Sequence, residues 1–589
     1  MGSHYHPATT VICAECDLTA RVEAGMKSKL WVFRDIDPDR KAALAQALSI
    51  APATASLLLA RGVTTPAEAT AWMTPLRSHD PFLIPDIDLA LDRLHYAMQH
   101  GERVCFYGDY DVDGMSATSI YYSFFRGLGG RVQAYVPHRI REGYGLNEGA
   151  VRALAAEGVT LLVTSDCGTT SHHEIAVAKQ LGMDVIVTDH HQTDDQMPPA
   201  LAVMNPHRRD ARYPFHGLCS GGLAYKVADA YQQRYGAGSV PLESLLDLVA
   251  LSTIADVVPL QDENRGFVRE GLRQLSRGAR CGIRALKQVS GITRDCTAET
   301  VGFKLGPRLN AAGRLDHAIK GVRLLTTESE LEARQLAQEL DLLNRQRQDL
   351  ESEIMREAVA ALGEREVPPA IVLASRGWHL GVVGIVAARL VERYHRPAIV
   401  MAVNEQGIGK GSARTVPGFD LYQALAACKD LLVAFGGHPS AAGLTIHESR
   451  LTEFQSRFAA VAGAWSATEG TAPTLHLDSE VSLDEVNLRL IQEIGHLHPF
   501  GAGNPEPMFA VKGLSIMDAR VVGEKHLKMT VRQGRSLPFD SIGFGMKSLA
   551  EQGLTIKTPV DLAFTPELNH WNGYDRIQLR IRDLRAAAE

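Results

Sequence analysis

Residues 103–120 read "RVCFYGDYDVDGMSATSI". The first six form a short, mostly apolar run, which is the pattern of a buried strand. Asp109, Asp111 and Asp113 then occupy alternate positions before Gly114, and a helical stretch, "MSATSIYYSFFRGLG" (115–129), follows at once. Strand, acidic turn and helix in succession make one step of a parallel α/β sheet.

The step repeats. "RVQAYV" (131–136), "TLLVTS" (160–165), "DVIVTD" (184–189) and "ALAVMN" (200–205) are further strand candidates, and "SHHEIAVAKQLG" (171–182) is a second helix candidate. Such alternation predicts a parallel-sheet domain. Residues 221–290 read as mostly helical. Between 326 and 362 the chain is dense in Leu, Ala, Glu, Arg and Gln, and Leu336, Leu340, Leu343, Leu350 and Ile354 share one helix face. This predicts a helix of about 50 Å connecting two domains across 321–365.

A smaller α/β pattern follows over 366–465. It comprises "PAIVLAS" (369–375), a helix at 382–394, "PAIVMAV" (397–403) and a Gly-rich tract. After the linker-like "AWSATEGTAPT" (464–474), segments such as "LSIMDARVVG", "HLKMTVRQG", "VDLAFTPEL" and "RIQLRIRDL" alternate apolar and polar residues. Period-two alternation is that of half-buried antiparallel strands. It predicts a β-barrel over 475–589, with the OB-fold one candidate.

The chain's 589 residues exceed one core and suggest about three or four domains. A net charge of −7 excludes a protein coated in positive charge, so any nucleic acid would need a localised basic groove. No apolar run approaches the roughly 18 residues of a membrane span, so no membrane is expected as a partner. Of the eight cysteines only Cys13 and Cys16 have CxxC spacing, and no second pair completes a zinc site. Scattered thiols fit a reducing cytoplasm. Residues 1–25 lack a signal-peptide pattern and are read as an extension outside the fold. The parallel-sheet domain, with an N-terminal segment, is then expected over 26–320.

The chemistry lies at the strand ends. Three carboxylates two residues apart repel one another, and a hard cation with oxygen ligands relieves the repulsion. Alone, the turn also fits an acidic helix cap. The strand at 160–165, however, delivers Asp166-Cys167-Gly168, and the strand at 184–189 delivers Asp189-His190-His191. Sites in open α/β sheets lie beyond the carboxyl ends of the strands, so three strands converge on one edge. Asp256, in the apolar "LSTIADVVPL" (251–260), is a candidate fourth contributor, because Asp is seldom buried without a partner or metal.

"YGDYDVDG", "SDCG", "TDHH" and "ADVVP", in this order, resemble the four motifs of the DHH phosphoesterase superfamily. "GKGSAR" (409–414) and "FGGHPSAAG" (435–443) resemble its accessory domain. "GPRLNAAGRL" (306–315), the long helix and "HPFGAGNPEP" (498–507) before a barrel narrow the likeness to its bacterial single-strand-specific exonucleases. The likeness covers nearly everything from Met26 onward.

That resemblance implies two divalent cations, Mn²⁺ or Mg²⁺, held by Asp109, Asp111, Asp113, Asp166, His190 and Asp256. An imidazole among carboxylates shifts preference toward Mn²⁺. His191 would be free to contact the scissile phosphate. Some members carry a His where this chain has Tyr107, so one ligand would be missing or replaced. Lys410, Ser412 and Arg414 in a Gly-turn tract suit a terminal phosphate. Arg139, Arg308, Asn310, Arg314 and His438 are implied as further substrate contacts. Lys525, Lys528, Arg532 and Arg535 give the barrel a basic face suited to single strands.

The implied activity is metal-dependent removal of nucleotides from the 5′ end of single-stranded DNA, releasing 5′-mononucleotides in repair and recombination. Single-strand-binding protein and a helicase are implied partners, and a monomer is expected. Two alternatives are a phosphodiesterase acting on short oligoribonucleotides or cyclic dinucleotides, and a non-catalytic DNA-binding scaffold. The barrel argues against the first and the intact Asp and His set against the second.

Overall fold

The computed structural model describes residues 29–73, 78–193, 196–236, 240–363, 366–469, 473–551, 559–571 and 574–587. The expected extension at 1–25 and the Cys13/Cys16 pair lie outside them. The chain forms two compact units, one spanning 78–471 and the other built from residues up to 77 together with those from 472 onward.

The larger unit is founded on a five-stranded parallel sheet. Its spatial order is Val132–Tyr135, Arg103–Gly108, Val159–Ser165, Asp184–Thr188, Ala202–Met204. Side chains of the first strand alternate between two cores, Val104 and Phe106 in one, Cys105 and Tyr107 in the other. Burial on both faces is why these strands read as unbroken apolar runs. In chain order the sheet runs second, first, third, fourth, fifth, so it reverses direction between the first and third strands. Gly108 pairs with Ser165 there. The crevice beyond such a reversal is where open α/β sheets bind ligands, and Asp109 and Asp166 are the next residues on the two strands.

A 33-residue helix, Glu330–Leu362, follows the catalytic sheet, opened by Ser329 accepting from the Glu332 N–H. The segment expected as one helix over 321–365 is divided, because Ile319–Thr326 is a helix of its own and Thr327 is extended. Leu336 and Leu340 sit in the core of the catalytic sheet, whereas Ile354 and Ala358 join the accessory core. One helix thus anchors both.

The accessory sheet is mixed. Ile371–Ser375 and Ala398–Val403 are parallel, and Ile408–Arg414, Ala441–His447 and Ala434–His438 continue antiparallel. The tract read as Gly turns is therefore a strand. A Cβ on Gly411 would stand 2.3 Å from Met401 Cγ, so close packing between strands, and not a turn, demands that glycine. Lys410, Ser412 and Arg414 consequently share one face of the sheet.

In the smaller unit, Phe509–Val522, His526–Arg532, Phe539–Gly543, Val560–Trp571 and Tyr574–Ala586 close a barrel. The order is first, second, third, fifth, fourth and back to first, with third and fifth parallel. This is a five-stranded OB-type barrel. The N-terminal segment, expected with the catalytic domain, joins this unit instead. Leu30–Phe33 pairs in parallel with Thr474–Leu477. Leu44, Leu57 and Leu58, from helices Pro38–Leu48 and Pro52–Ala60, share a core with Phe509, Leu527 and Phe564. Residues 53–58 are all buried, and a helix apolar all round needs cover on every side. Trp31 Nε1 also donates to Asp583 Oδ2 at 2.7 Å, beneath the Arg585 guanidinium.

Candidate active site

The acidic turn is compact because two glycines let the helix Val112–Gly127 abut the strand end. A Cβ on Gly114 would lie 2.5 Å from the Asp109 nitrogen, and one on Gly108 2.0 Å from Thr118 Oγ1. Asp111 caps that helix, accepting from the N–H groups of Asp113 (2.9 Å) and Gly114 (3.1 Å). Asn310 Oδ1 accepts from the Val112 N–H at 3.1 Å, tying the turn to helix Gly306–Leu315.

Asp113 is buried and points at another helix start. Its carboxylate accepts from Ser220 N–H (2.8 Å), Gly221 N–H (3.0 Å) and the Ser252 hydroxyl. A helix N-terminus favours a negative charge. Asp166 holds φ +67, a left-handed conformation costly for a residue other than glycine. Tyr144 donates to its carbonyl at 3.0 Å, and Ser220 Oγ to its carboxylate at 3.2 Å. His190 Nε2 lies 3.2 Å from Asp166 Oδ1, 3.4 Å from Asp113 Oδ2 and 3.5 Å from Asp256 Oδ2. Asp256 follows directly on helix Leu246–Ala255.

Among the described residues, three overlapping sets have ligand atoms within 4.8 Å of one another: Asp109–Asp111–Asp166, Asp113–His190–Asp256 and Asp166–His190–His191. Burial, reinforced by neighbouring carboxylates, raises Asp109, Asp111 and Asp166 above the ordinary range and pushes Asp256 up to about 8. Burial lowers His190 and so favours the neutral imidazole that binds metals. Asp109 Oδ1 is buried with no hydrogen-bond partner. Crowded, oxygen-rich and short of positive charge, these residues fit divalent cations. Tyr107 is not part of the cluster, as its hydroxyl donates to the Gly145 carbonyl at 3.0 Å and its ring stacks on Tyr135.

His191 behaves differently from His190. Burial opposes its charge, but the Asp189 carboxylate outweighs burial and pushes it up to about 9. Burial would likewise raise Asp189, yet His191 and the Thr169 N–H hold it at about 2.

Beside the cluster, a cleft of about 840 Å³ is lined by Tyr110, Arg139, Arg314, Lys410, Ser412 and Arg414, with the glycine backbone at 436–437. Arg139 lies 4.7 Å above the Tyr110 ring, and Arg414 donates to Ser412 Oγ at 2.9 Å. Burial, with Arg139 and Arg347 nearby, pulls Arg314 down to about 10, and burial with Arg139 also lowers Arg414. Guanidinium groups half-buried together in one cleft make a site for an anion. Arg308 is elsewhere, donating to Asp341 at 2.9 Å and to the Lys304 carbonyl. His438 is exposed at the end of its strand and is absent from the cleft lining.

Several residues that build the site carried no role in the sequence reading: Asp189, Tyr144, Ser220 and Ser252. "CSGG" at 219–222 held a usable signal, since small residues opening a helix leave N–H groups free for an anion. Ser252 gave none, because its role depends on Asp113, 139 residues away, whereas Asp189 stands only two residues from its partner His191.

Family models described as "DHH family, N-terminal domain", "DHHA1 domain" and "RecJ OB domain" match residues 103–253, 366–464 and 477–583. The single-stranded-DNA-specific exonuclease RecJ of Bacillus subtilis is 39% identical over 94% of this chain and 70% of its own length. That of Dickeya dadantii is 37% identical over 85% and 91%. This chain belongs to the RecJ family. RecJ of Thermus thermophilus, solved with Mn²⁺, has a TM-score of 0.81 at 31% identity, covering 95% of this chain and 80% of that one. The same RecJ has also been solved with Mg²⁺.

Proposed function

We infer that this chain is a metal-dependent exonuclease specific for single-stranded DNA. It works 5′ to 3′ and releases 5′-mononucleotides in repair and recombination. The observation that carries this reading is the convergence of Asp109, Asp111, Asp113, Asp166, His190 and Asp256 at the sheet reversal of a RecJ-family chain. The substrate follows from the relatives, which are named single-stranded-DNA-specific exonucleases.

Bound Mn²⁺ or Mg²⁺ would be held by those six residues and would supply Lewis-acid stabilisation of charge on the phosphodiester. Around them, this chain's residues divide the work. Asp189 holds His191 charged and oriented toward the phosphate. Ser220, Gly221 and Ser252 fix Asp113, and Asn310 fixes the acidic turn. Arg139, Ser412 and Arg414 bind a terminal 5′ phosphate, with Arg314 at the same cleft. A metal cluster alone is blind to strand direction, so the cleft sets polarity. The barrel supplies added grip on the strand through Lys528, Arg532 and exposed apolar side chains.

A single strand must be presented to such an enzyme, which supports single-strand-binding protein and a helicase as partners of a monomer in the cytoplasm. Among the described residues no single helix is long and apolar enough to cross a membrane. The test is digestion of end-labelled single-stranded DNA, duplex and short RNA with Mn²⁺, Mg²⁺ or EDTA. Metal-dependent release of mononucleotides from single-stranded DNA supports the reading. Preference for short RNA would favour an oligoribonucleotide phosphodiesterase.

A further inference from the structure

An apolar rim borders the acidic cluster on the side of Asp256. Val257, the next residue, is 70% exposed and holds φ +60, an outlier conformation for a β-branched residue. Phe303 is 79% exposed and lies in the π-turn Val301–Leu305, a local geometry frequent at functional sites. This turn rests on the helix that leads into Asp256. A Cβ on Gly302 would lie 4.0 Å from Ile254 Cγ2, and one on Gly306 3.9 Å from Ala255 Cβ. Val257 thus stays in solvent directly after a candidate ligand, and Phe303 does so on a turn packed against the helix that ends there, although burying either would stabilise the fold.

Helix Gly306–Leu315 serves as a ruler across the site. Its start touches Ala255, and a Cβ on Gly313 would lie 2.4 Å from the Tyr110 carbonyl oxygen, where the arginine cleft begins. Gly306 and Gly313 are about 10 Å apart along the axis. The rim and the cleft therefore border the cluster at different ends of one helix.

We propose that Phe303, on the turn packed against the helix that leads into Asp256, is a platform on which a nucleobase of the bound single strand stacks, on the 3′ side of the scissile phosphodiester. This rests on the function inferred above. With the terminal phosphate in the cleft and the scissile bond at the cluster, the continuing strand leaves past Asp256 and meets Phe303. Stacking on an aromatic face is tolerant of sequence because every base has a π-face, which suits an enzyme that must accept each nucleotide in turn.

The test is release of the first nucleotide from 5′-phosphorylated single strands, either intact or with one abasic residue placed in turn at successive positions. Phe303→Ala should raise KM on intact strands about five- to a hundredfold, with kcat little changed. Phe303→Trp, which keeps a stacking face, should behave like wild type. The Phe303→Ala penalty should vanish on strands whose abasic residue occupies one particular register, because there the partner base is already missing. No rise in KM, an equal penalty at every register, or a Trp variant as impaired as Ala would each overturn the proposal. Wild type assayed alongside separates the two readings, since its failure to cut single-stranded DNA would sink the function and not merely the platform.

Discussion

His191 Nδ1 and Asp189 Oδ1 lie 2.7 Å apart, and the same oxygen accepts from the backbone N–H groups of His190 and His191. Asp189 belongs to none of the three ligand sets. It would act as a positioning residue, its carboxylate favouring the charged form of His191 and fixing the ring by the 2.7 Å contact. Asp189→Asn should lower kcat about ten- to a hundredfold, the usual cost of losing such an outer partner. Mn²⁺ affinity, read by calorimetry, should change far less than kcat. An equal loss in both would make Asp189 a determinant of metal binding instead.

The cluster also predicts a pH-dependent response to metal. Asp109, Asp111, Asp166 and Asp256 all have folded-state pKa values raised above that of an unfolded Asp, Asp256 to about 8. A raised carboxyl pKa contributes stability below about pH 4 that is lost as pH rises through the folded value. The metal-free protein should therefore weaken between about pH 4 and pH 8. Cations need the ionised form, so their stabilising effect grows across the same window. Thermal melts should show a larger Mn²⁺-induced rise in Tm at pH 8 than at pH 6. A rise independent of pH would contradict this.

Arg414 is the natural donor to a terminal phosphate, since its fork can engage two oxygens and Lys cannot copy that geometry. Charge-assisted hydrogen bonds contribute about 1.5–3 kcal/mol. Arg414→Ala should lower kcat/KM on 5′-phosphorylated strands by about ten- to a hundredfold, with less effect on strands ending in a 5′ hydroxyl. The two enzymes and two substrate ends form a cycle that cancels general loss of affinity. Equal loss on both ends would remove Arg414 from phosphate recognition.

The shared core of the smaller unit makes a prediction about truncation. Removing only residues 473–589 would strip Leu44, Leu57 and Leu58 of Phe509, Leu527 and Phe564 and leave Leu30–Phe33 without its partner strand. That truncation should aggregate, whereas one that also removes residues 1–77 should stay soluble. Analytical size exclusion distinguishes the two. Equal solubility would mean that the N-terminal helices are stable on their own.

The catalytic sheet was legible because most of its strands are buried on both faces and four of the five run straight into a polar residue, as at Gly108-Asp109 and Ser165-Asp166. The same feature put the acids and His190 at one edge of the sheet. The N-terminal helices were not legible as part of the barrel unit, since Leu57 and Phe509 are far apart in sequence and no periodicity links them. Ile408–Arg414 escaped because its glycines serve close packing between strands, Gly411 against Met401 and Gly409 against Ile446, and so imitate a turn. The break at Thr327 lies between two helical patterns that merge when read as periodicity alone. Arg308 and Arg314 look equivalent in sequence, but of the two it is Arg308 that pairs with Asp341 on the long helix.

The central claim, cleavage of single-stranded DNA at the carboxylate–imidazole cluster, is tested most directly with Asp166→Asn. Asn retains the shape and tolerates the left-handed backbone at this position while removing the charge. The measurement is mononucleotide release from end-labelled single-stranded DNA, alongside a thermal melt. The account predicts rapid release by wild type in Mn²⁺, none after exhaustive metal removal, and a loss of several orders of magnitude in the variant with its fold intact. Wild-type turnover in excess EDTA, or an Asp166→Asn enzyme as fast as wild type, would contradict it.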